Sequence, residues 1–315
     1  MGRGYHAGEL EVQERAGVRG MASKIGGSIH ETIPPAASAF LEQRRFVVLA
    51  TADRAGRPWA SVLSGPEGFA RALDPGTVRI DAEPLPGDPL GENVGVSRFA
   101  GLIAPDLAAR RRLRLNGQLE RGNDGALLIH ADQVYSNCPK YIQRRSGGDE
   151  GVERKPALIR RAGSLTGEQR DWIRRADTFF IATLNPEVGA DASHRGGMPG
   201  FVTVAGDRLG WPDYAGNSMF NTLGNIAVHP WAGLLFPDFE SGAVLQLTGR
   251  ASIDWDQSRA AAVSGAERLV RFEAEQVVEI AGALPLGLRL LEYSPFNPAV
   301  DEGAVRRYGG TAVGR

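Results

Sequence analysis

The chain has 315 residues, with 36 Lys and Arg against 37 Asp and Glu for a formal net charge of −1, and with 42% hydrophobic and 23% charged residues. That length accommodates two domains of roughly 150 residues. The balanced charge excludes the whole-chain basic field of a nucleic-acid binder, and no apolar run approaches the roughly 18 residues that span a bilayer. Nucleic acid and membrane are therefore not expected partners. The single cysteine, Cys138, cannot form an internal disulfide, and residues 1–10 lack the apolar core of a signal peptide. A cytoplasmic location is expected. Lys24, Lys140 and Lys155 are the only lysines, so arginine supplies 33 of the 36 basic residues. A GC-rich genome accounts for that bias more simply than many bidentate anion sites.

In chain order, a helix is expected over Pro35 to Arg45 and a strand over Phe46 to Thr51, closed by the hairpin chemistry of Asp53-Arg54-Ala55-Gly56. Strands near 59–64, 77–82, 99–104, 111–120 and 126–135 follow. The charged stretch Arg144 to Lys155 reads as a linker. A second helix, Thr166 to Asp177, opens on Thr166 with Gln169 three residues on, the pattern of a capping box. The strand Phe179 to Leu184 comes next, then strands near 191–194, 201–204, 208–212, 232–236, 243–254 and 274–281, with a helix over Asn217 to Val228 between them.

The second half repeats the first at a shift of 132 residues. Leu49-Ala50-Thr51 falls on Ile181-Ala182-Thr183, Ala60-Ser61 on Ala192-Ser193, Gly68-Phe69 on Gly200-Phe201 and Asn93 on Asn225. Gly101-Leu102-Ile103-Ala104-Pro105-Asp106 falls on Gly233-Leu234-Leu235-Phe236-Pro237-Asp238. The chain is read as an N-terminal extension (1–36), a first domain (37–145), a linker (146–164), a second domain (165–293) and a tail (294–315). Many short strands joined by Gly-containing turns imply a small antiparallel barrel in each copy, because closure removes exposed strand edges.

No dinucleotide Gly-x-Gly-x-x-Gly turn, Walker loop, Gly-x-Ser-x-Gly elbow or His-Glu-x-x-His motif is present. The five histidines have no metal-ligand spacing and one cysteine cannot build a thiolate cage, so no metal is expected. Two polar clusters remain, both in the second copy. Asp191-Ala192-Ser193-His194-Arg195-Gly196-Gly197 carries a hydroxyl, an imidazole and a guanidinium beside two glycines, groups that suit an anion. Asn217, Ser218 and Asn221 open the expected helix, where unpaired N–H groups can seat a phosphate or where Asn217 or Ser218 simply caps the end. The first copy has Val62 and Leu63 at the positions of His194 and Arg195, and Leu85, Pro86 and Pro89 at those of Asn217, Ser218 and Asn221. Polar residues diverged together while barrel positions persisted, which favours an anion site over capping alone. Trp59 stands where the second copy has Asp191 and either packs or stacks on a planar ligand. Arg112 and Arg114 share one face of a strand and read first as a solvated face, with a phosphate contact from the other copy as the alternative. Cys138 reads as a small buried hydrophobe.

Arg57-Pro58-Trp59-Ala60-Ser61, the run Asn137 to Gln143, Asp191-Ala192-Ser193 with Gly200-Phe201-Val202, Gly216-Asn217 through Asn225, and Gly233-Leu234-Leu235-Phe236 together resemble the pyridoxamine 5′-phosphate oxidase-like proteins. Tyr5-His6-Ala7-Gly8-Glu9 with Gln13 and Arg15-Ala16-Gly17 resembles the start of the two-domain bacterial members. The resemblance covers nearly the whole chain. It implies a mainly β fold with flanking helices, α+β in class, made of two tandem FMN-binding split β-barrels packed as a pseudo-dimer. The expected cofactor is FMN at the barrel interface, held by Ser193, His194, Arg195, Asn217, Ser218 and Asn221, with Trp59 and Ser61 contributed across the interface. Related sequences often carry Arg or Lys shortly after the Gly-Asn, where Ser218-Met219 stands here. The basic strand motif and C-terminal Arg/His clamp of true pyridoxamine-phosphate oxidases are not found, so vitamin B6 oxidation is not the expected activity.

The resemblance thus implies an FMN-dependent oxidoreductase passing electrons or hydride from reduced nicotinamide, NAD(P)H, to a small organic acceptor. The alternatives are a non-catalytic flavin- or haem-binding protein, or an electron-transfer partner of a separate reductase. Unpaired barrel faces also permit a homodimer.

Overall fold

The computed structural model describes residues 4–136, 138–147, 155–284 and 287–300. Helices α1 (Ala7–Arg15) and α2 (Arg19–Gly26) lead into α3 (Pro35–Glu42), β1 (Phe46–Ala52), β2 (Pro58–Ser64), β3 (Ala70–Asp74), β4 (Thr77–Ile80), α4 (Leu90–Asn93), β5 (Phe99–Asp106), β6 (Arg111–Arg121) and β7 (Leu127–Ser136). Strands β8 (Arg144–Ser146) and β9 (Ala157–Ala162) precede the second half. That half comprises α5 (Gly167–Arg175), β10 (Thr178–Asn185), β11 (Gly189–Gly196), β12 (Thr203–Ala205), β13 (Arg208–Tyr214), α6 (Asn221–Val228), β14 (Trp231–Pro237), β15 (Val244–Asp254), α7 (Gln257–Ala261), β16 (Ala266–Ala281) and β17 (Arg289–Glu292).

The two main sheets have the same strand order, β2-β1-β5-β6-β7-β4-β3 and β11-β10-β14-β15-β16-β13-β12. The duplication extends to their irregularities. The β6/β7 ladder slips between Asn116 and Gly117, and the β15/β16 ladder slips at the equivalent Thr248 and Gly249. A Cβ on Gly117 or Gly249 would run into the carbonyl oxygen of His130 or Glu273, so both bulges require glycine. A buried amide pins each connecting helix to its first strand: Asn93 donates to Thr51 Oγ1 at 3.1 Å and Asn225 to Thr183 Oγ1 at 3.0 Å.

Every residue of β1 and β10 is buried, because both faces of these strands are covered. Val47 and Leu49 point into the first barrel and Phe179 and Ile181 into the second, whereas Val48, Ala50, Phe180 and Ala182 form a third apolar cluster between the barrels. The two barrels therefore pack as an internal pseudo-dimer. At its centre two glycines bring backbones into direct contact. An added Cβ on Gly101 of β5 would lie 2.7 Å from Asp191 Cα on β11, and one on Gly233 of β14 would lie 2.7 Å from Trp59 Cα on β2.

Several elements differ from the sequence expectations. The helix expected from Asn217 begins at Asn221, because Ser218 and Phe220 both take left-handed backbone with φ of 60°. The expected linker contains β9, which pairs with β16 through register partners Ala157↔Ala281 and Ala162↔Val277. Strand β3 and helices α1, α2 and α7 were not anticipated, and β16 starts at Ala266 rather than near 274. Short or exposed elements carry little periodicity, and α1 forms on an unusual cap: His6 Nδ1 accepts from Gly8 N at 3.1 Å while Glu9 Oε2 accepts from His6 N at 2.8 Å. Part of the linker expectation, 148–154, and part of the expected tail, 301–315, lie outside the described residues.

Gly101→Ala and Gly233→Ala each force backbone apart at the barrel junction and are expected to destabilise the protein by about 1–3 kcal/mol, the cost of overpacking a tight core. Gly20→Ala, where nothing lies within 4 Å of an added Cβ, should leave stability unchanged or slightly raised. Denaturant unfolding of the three variants measures this directly.

Candidate functional site

A cavity of about 360 Å³ opens where the barrels meet. Strand β6 of the first barrel contributes Arg112 and Arg114. The second barrel contributes Ser193, His194 and Arg195 from β11, Asp213 and Tyr214 from β13, Asn217 and Ser218 from the following loop, and Asn221 and Thr222 from the first turn of α6. Cys138, Lys140 and Tyr141 line a third side, and Val18 and Met21 from the α2 region a fourth. Six of the residues singled out in the sequence, Ser193, His194, Arg195, Asn217, Ser218 and Asn221, are thus brought together.

Trp59 and Ser61 are placed elsewhere, outside the lining of this cavity. They sit on β2 in the crevice related to the cavity by the internal two-fold. There Ser61 donates to Asp88 Oδ1 at 2.6 Å, Gln246 Nε2 donates to Ala60 O at 2.8 Å and to Asp88 Oδ2 at 3.0 Å, and Trp59 is 2% exposed in the inter-barrel cluster. The residues that cross the interface to the cavity are instead Arg112 and Arg114. The solvated-face reading of this pair fails for Arg114, which is 4% exposed and pairs with Asp191. Cys138 is partly exposed rather than buried.

Electrostatics set this cavity apart from its counterpart. Arg268 is shared between Asp213 (2.8 Å) and Glu267 (2.7 Å), and Arg114 is balanced by Asp191. Arg112, Arg195 and Lys140 have no ion pair among the described residues. Burial, with repulsion from Arg114 and Arg195, brings the Arg112 guanidinium down to about 9, and burial also lowers Arg195 against the pull of Asp213. Desolvated like charges of this kind lose free energy unless an anion joins them. Burial, and then the charges of Arg112, Arg195 and Arg145, hold the His194 imidazole neutral well below its usual range. Arg112 Nη1 donates to His194 Nδ1 at 3.0 Å, which leaves the ring proton on Nε2. That atom, Arg114 Nε and Asn217 Nδ2 are buried without a protein partner. Phosphate, carboxylate or carbonyl oxygens match such donors.

Backbone strain gathers at the same place. Among the described residues four non-glycines have positive φ, and three of them, Tyr141 (65°), Ser218 (60°) and Phe220 (60°), line the cavity. Such conformations persist where surrounding structure enforces them, commonly at ligand sites. Tyr141 and Tyr214 pair their rings with centroids 5.2 Å apart, and Tyr141 Oη donates to Ala215 O at 3.0 Å.

The sequence profile of the family described as pyridoxamine 5′-phosphate oxidase matches this chain twice, over residues 33–161 and 165–282. The chain belongs to the pyridoxamine 5′-phosphate oxidase family. Among solved structures similar to this family member, HupZ of Group A Streptococcus is 16% identical over 36% of this chain and 91% of its own, with a TM-score of 0.30. An F420 reductase is 12% identical over 36% and 95%, with a TM-score of 0.27. A FAD-binding protein of Mesorhizobium loti is 12% identical over 39% and 99%, also with a TM-score of 0.27. No curated protein matches the chain. No helix among the described residues is long and apolar enough to cross a membrane, and no group of three metal-ligating side chains occurs among them.

Arg112 and Arg114 are lining residues that the sequence reads first as a solvated face and only alternatively as a contact from the other copy. The 132-residue comparison carries their signal, since the second copy has Val244 and Gln246 at those positions.

Because folding depresses the His194 proton affinity, the unfolded state binds the extra proton below pH about 6.5, and stability falls as pH drops through that window. His194→Gln is expected to remove this component, up to about 1.4 kcal/mol per pH unit. Chemical unfolding of both proteins between pH 7 and pH 5 reads the difference.

Proposed function

We propose that the cavity binds FMN and that the protein is an oxidoreductase passing electrons or hydride from a reduced nicotinamide to a small organic acceptor. The observation that carries this reading is the pair of half-buried guanidiniums, Arg112 and Arg195, without carboxylate partners among the described residues, in an inter-barrel cavity of a pyridoxamine 5′-phosphate oxidase family member. A cavity of about 360 Å³ falls in the range of small-molecule sites, roughly 300–1,000 Å³. Two free guanidiniums match the charge of a phosphate monoester, about −1.5 to −2 at neutral pH.

In this reading Arg112 and Arg195 hold the phosphate, which supplies the charge balance they lack. Ser193, Asn217 and Ser218 add neutral hydrogen-bonding groups, and His194 adds an N–H without a charge because its ring is neutral. Tyr141 and Tyr214 present an aromatic wall beside Lys140. Val18, Met21 and Phe220 add apolar lining to the cavity. When bound, FMN supplies the redox chemistry while the protein positions it and sets its surroundings.

The visible spectrum of the purified protein, followed by denaturation and identification of the released chromophore, tests the cofactor. Arg112→Ala and Arg195→Ala should each weaken FMN binding about 10- to 100-fold, the loss of a charge-assisted hydrogen bond at about 1.5–3 kcal/mol. Ser61→Ala, in the other crevice, should leave FMN affinity within about twofold, below the effect of losing one hydrogen bond. A colourless protein that takes up no added FMN overturns the reading. Full occupancy without bleaching by NAD(P)H favours a binding protein or the partner of a separate reductase.

A further inference from the structure

Behind the cavity lies a buried network that joins α1 to both barrels. Tyr135 Oη donates to Asp191 Oδ1 at 3.2 Å and approaches Asn221 Oδ1 at 3.5 Å, and Asn221 Nδ2 donates to Glu9 Oε1 at 2.5 Å. Asp191 also accepts from Asn116 Nδ2 at 3.4 Å, Ser193 Oγ at 3.4 Å and Thr222 Oγ1 at 3.5 Å. Glu9 is 4% exposed and Asp191 1%. Arg114 pairs with Asp191 and Arg195 adds its charge to Asp191 as well, whereas among the described residues no guanidinium is bonded to Glu9. His6 lies 3.7 Å from Glu9 but brings no charge: its Nδ1 accepts from Gly8 N, its Nε2 meets Asn225 Oδ1 at 2.9 Å, and burial lowers its proton affinity. Glu9 is therefore a buried carboxylate that no charged group compensates by direct contact among the described residues. Arg114, Asn221, Ser193 and Thr222 also line the cavity, so an anion there competes with Asp191 for Arg114.

We propose that this cluster, with Glu9 as its acid, is a proton store that takes up one proton when an anion occupies the cavity and gives it back when the anion leaves. The proton comes from the buffer acid, and a carboxylate becomes a carboxylic acid. An anion drawing on Arg114 reduces the compensation that its charge gives Glu9, which raises the proton affinity of Glu9. The groups facing Glu9 are His6 on its own helix, Asp191 on β11, Arg114 on β6, Tyr135 on β7 and the neutral Asn221 on α6; upstream, Tyr5 is coupled to its charge. Burial, with the charge of Asp191 added, pushes the Glu9 carboxyl up to about 7 against the hydrogen bonds from His6 N and Asn221 and the charge of Arg114. The proposal rests on the reading of the cavity as an anion-binding cofactor site.

Calorimetric titration of FMN into the full-length protein, in pairs of buffers with different ionisation enthalpies, counts the protons exchanged. At pH 8 the phosphate, whose second pKa is about 6, is already dianionic and takes up none. Uptake approaching one proton per FMN is expected at pH 8, giving way to a small net release at pH 6, where Glu9 is already mostly protonated and the half-monoanionic phosphate sheds its proton on binding. Glu9→Gln should abolish the uptake while retaining FMN binding. If that variant does not fold, the pH profile of the wild type decides alone. FMN binding with a buffer-independent heat at pH 8 overturns the proton store and leaves the cofactor reading intact. Absence of FMN binding overturns the cofactor reading, and inorganic sulfate then serves as the anion. Sulfate binding with proton uptake supports the store, and sulfate binding without uptake, or no sulfate binding, overturns it.

Discussion

The arrangement of this molecule depends on two points where one backbone lies directly on another. Gly101 beneath β11 and Gly233 beneath β2 let an edge strand of each barrel cross the second-neighbour strand of the other with no side chain between. With the crossing fixed, β6 of the first barrel comes to face β11 of the second, and β15 comes to face β2. Two crevices follow from one packing rule. The apolar faces of β1 and β10 then fill the space around the crossing, so the interface has an apolar core of its own.

What occupies each crevice is a matter of side chains on an unchanged frame. Arg112, Arg114 and Arg195 crowd three guanidiniums around one of them, whereas Val244, Gln246 and Leu63 stand at the equivalent places of the other. In the second crevice Gln246, Ser61 and Asp88 hydrogen-bond to one another, and Leu158 of β9 lies against Gly87. A hydrogen-bonded polar joint has replaced a positively charged cavity. The cavity keeps what a folded protein ordinarily avoids, namely uncompensated buried charge and left-handed backbone at Tyr141, Ser218 and Phe220. Their concentration in one place is the mark of a site held ready for something that is not protein.

Much of the frame was legible because the sequence contains its own comparison. Residues aligned at a shift of 132 mark the strands, the barrel repeat and six of the cavity residues, since apolar positions repeat while polar ones do not. Long-range contributions were not legible. Nothing local to Arg112 and Arg114 distinguishes a solvated strand face from one covered by a second barrel, and nothing local to Trp59 and Ser61 tells which of two crevices they enter. Helix α6 shows the limit of local reasoning in another way. Asn217 and Ser218 have the composition of a helix start, but two left-handed residues delay the helix to Asn221, whose amide is taken by Glu9 from a helix more than 200 residues away. His6 and Glu9 carried a family resemblance in sequence, and only the fold shows that they meet α6.

The segment that leads into each barrel has also taken two forms. Before the first barrel, His30 makes a single bridge to Val134, α2 brings Met21 to the cavity and α1 packs on α6. Before the second, the equivalent stretch is the strand β9, paired with β16 from Ala162↔Val277 to Ala157↔Ala281. An assembly of two identical chains has to wear the same cover on both sides, and any substitution in one crevice is copied into the other. Joining the halves in one polypeptide removes that obligation. Each gate can be drawn separately, so one side can be shut for good and used as a fastening while the other stays adjustable.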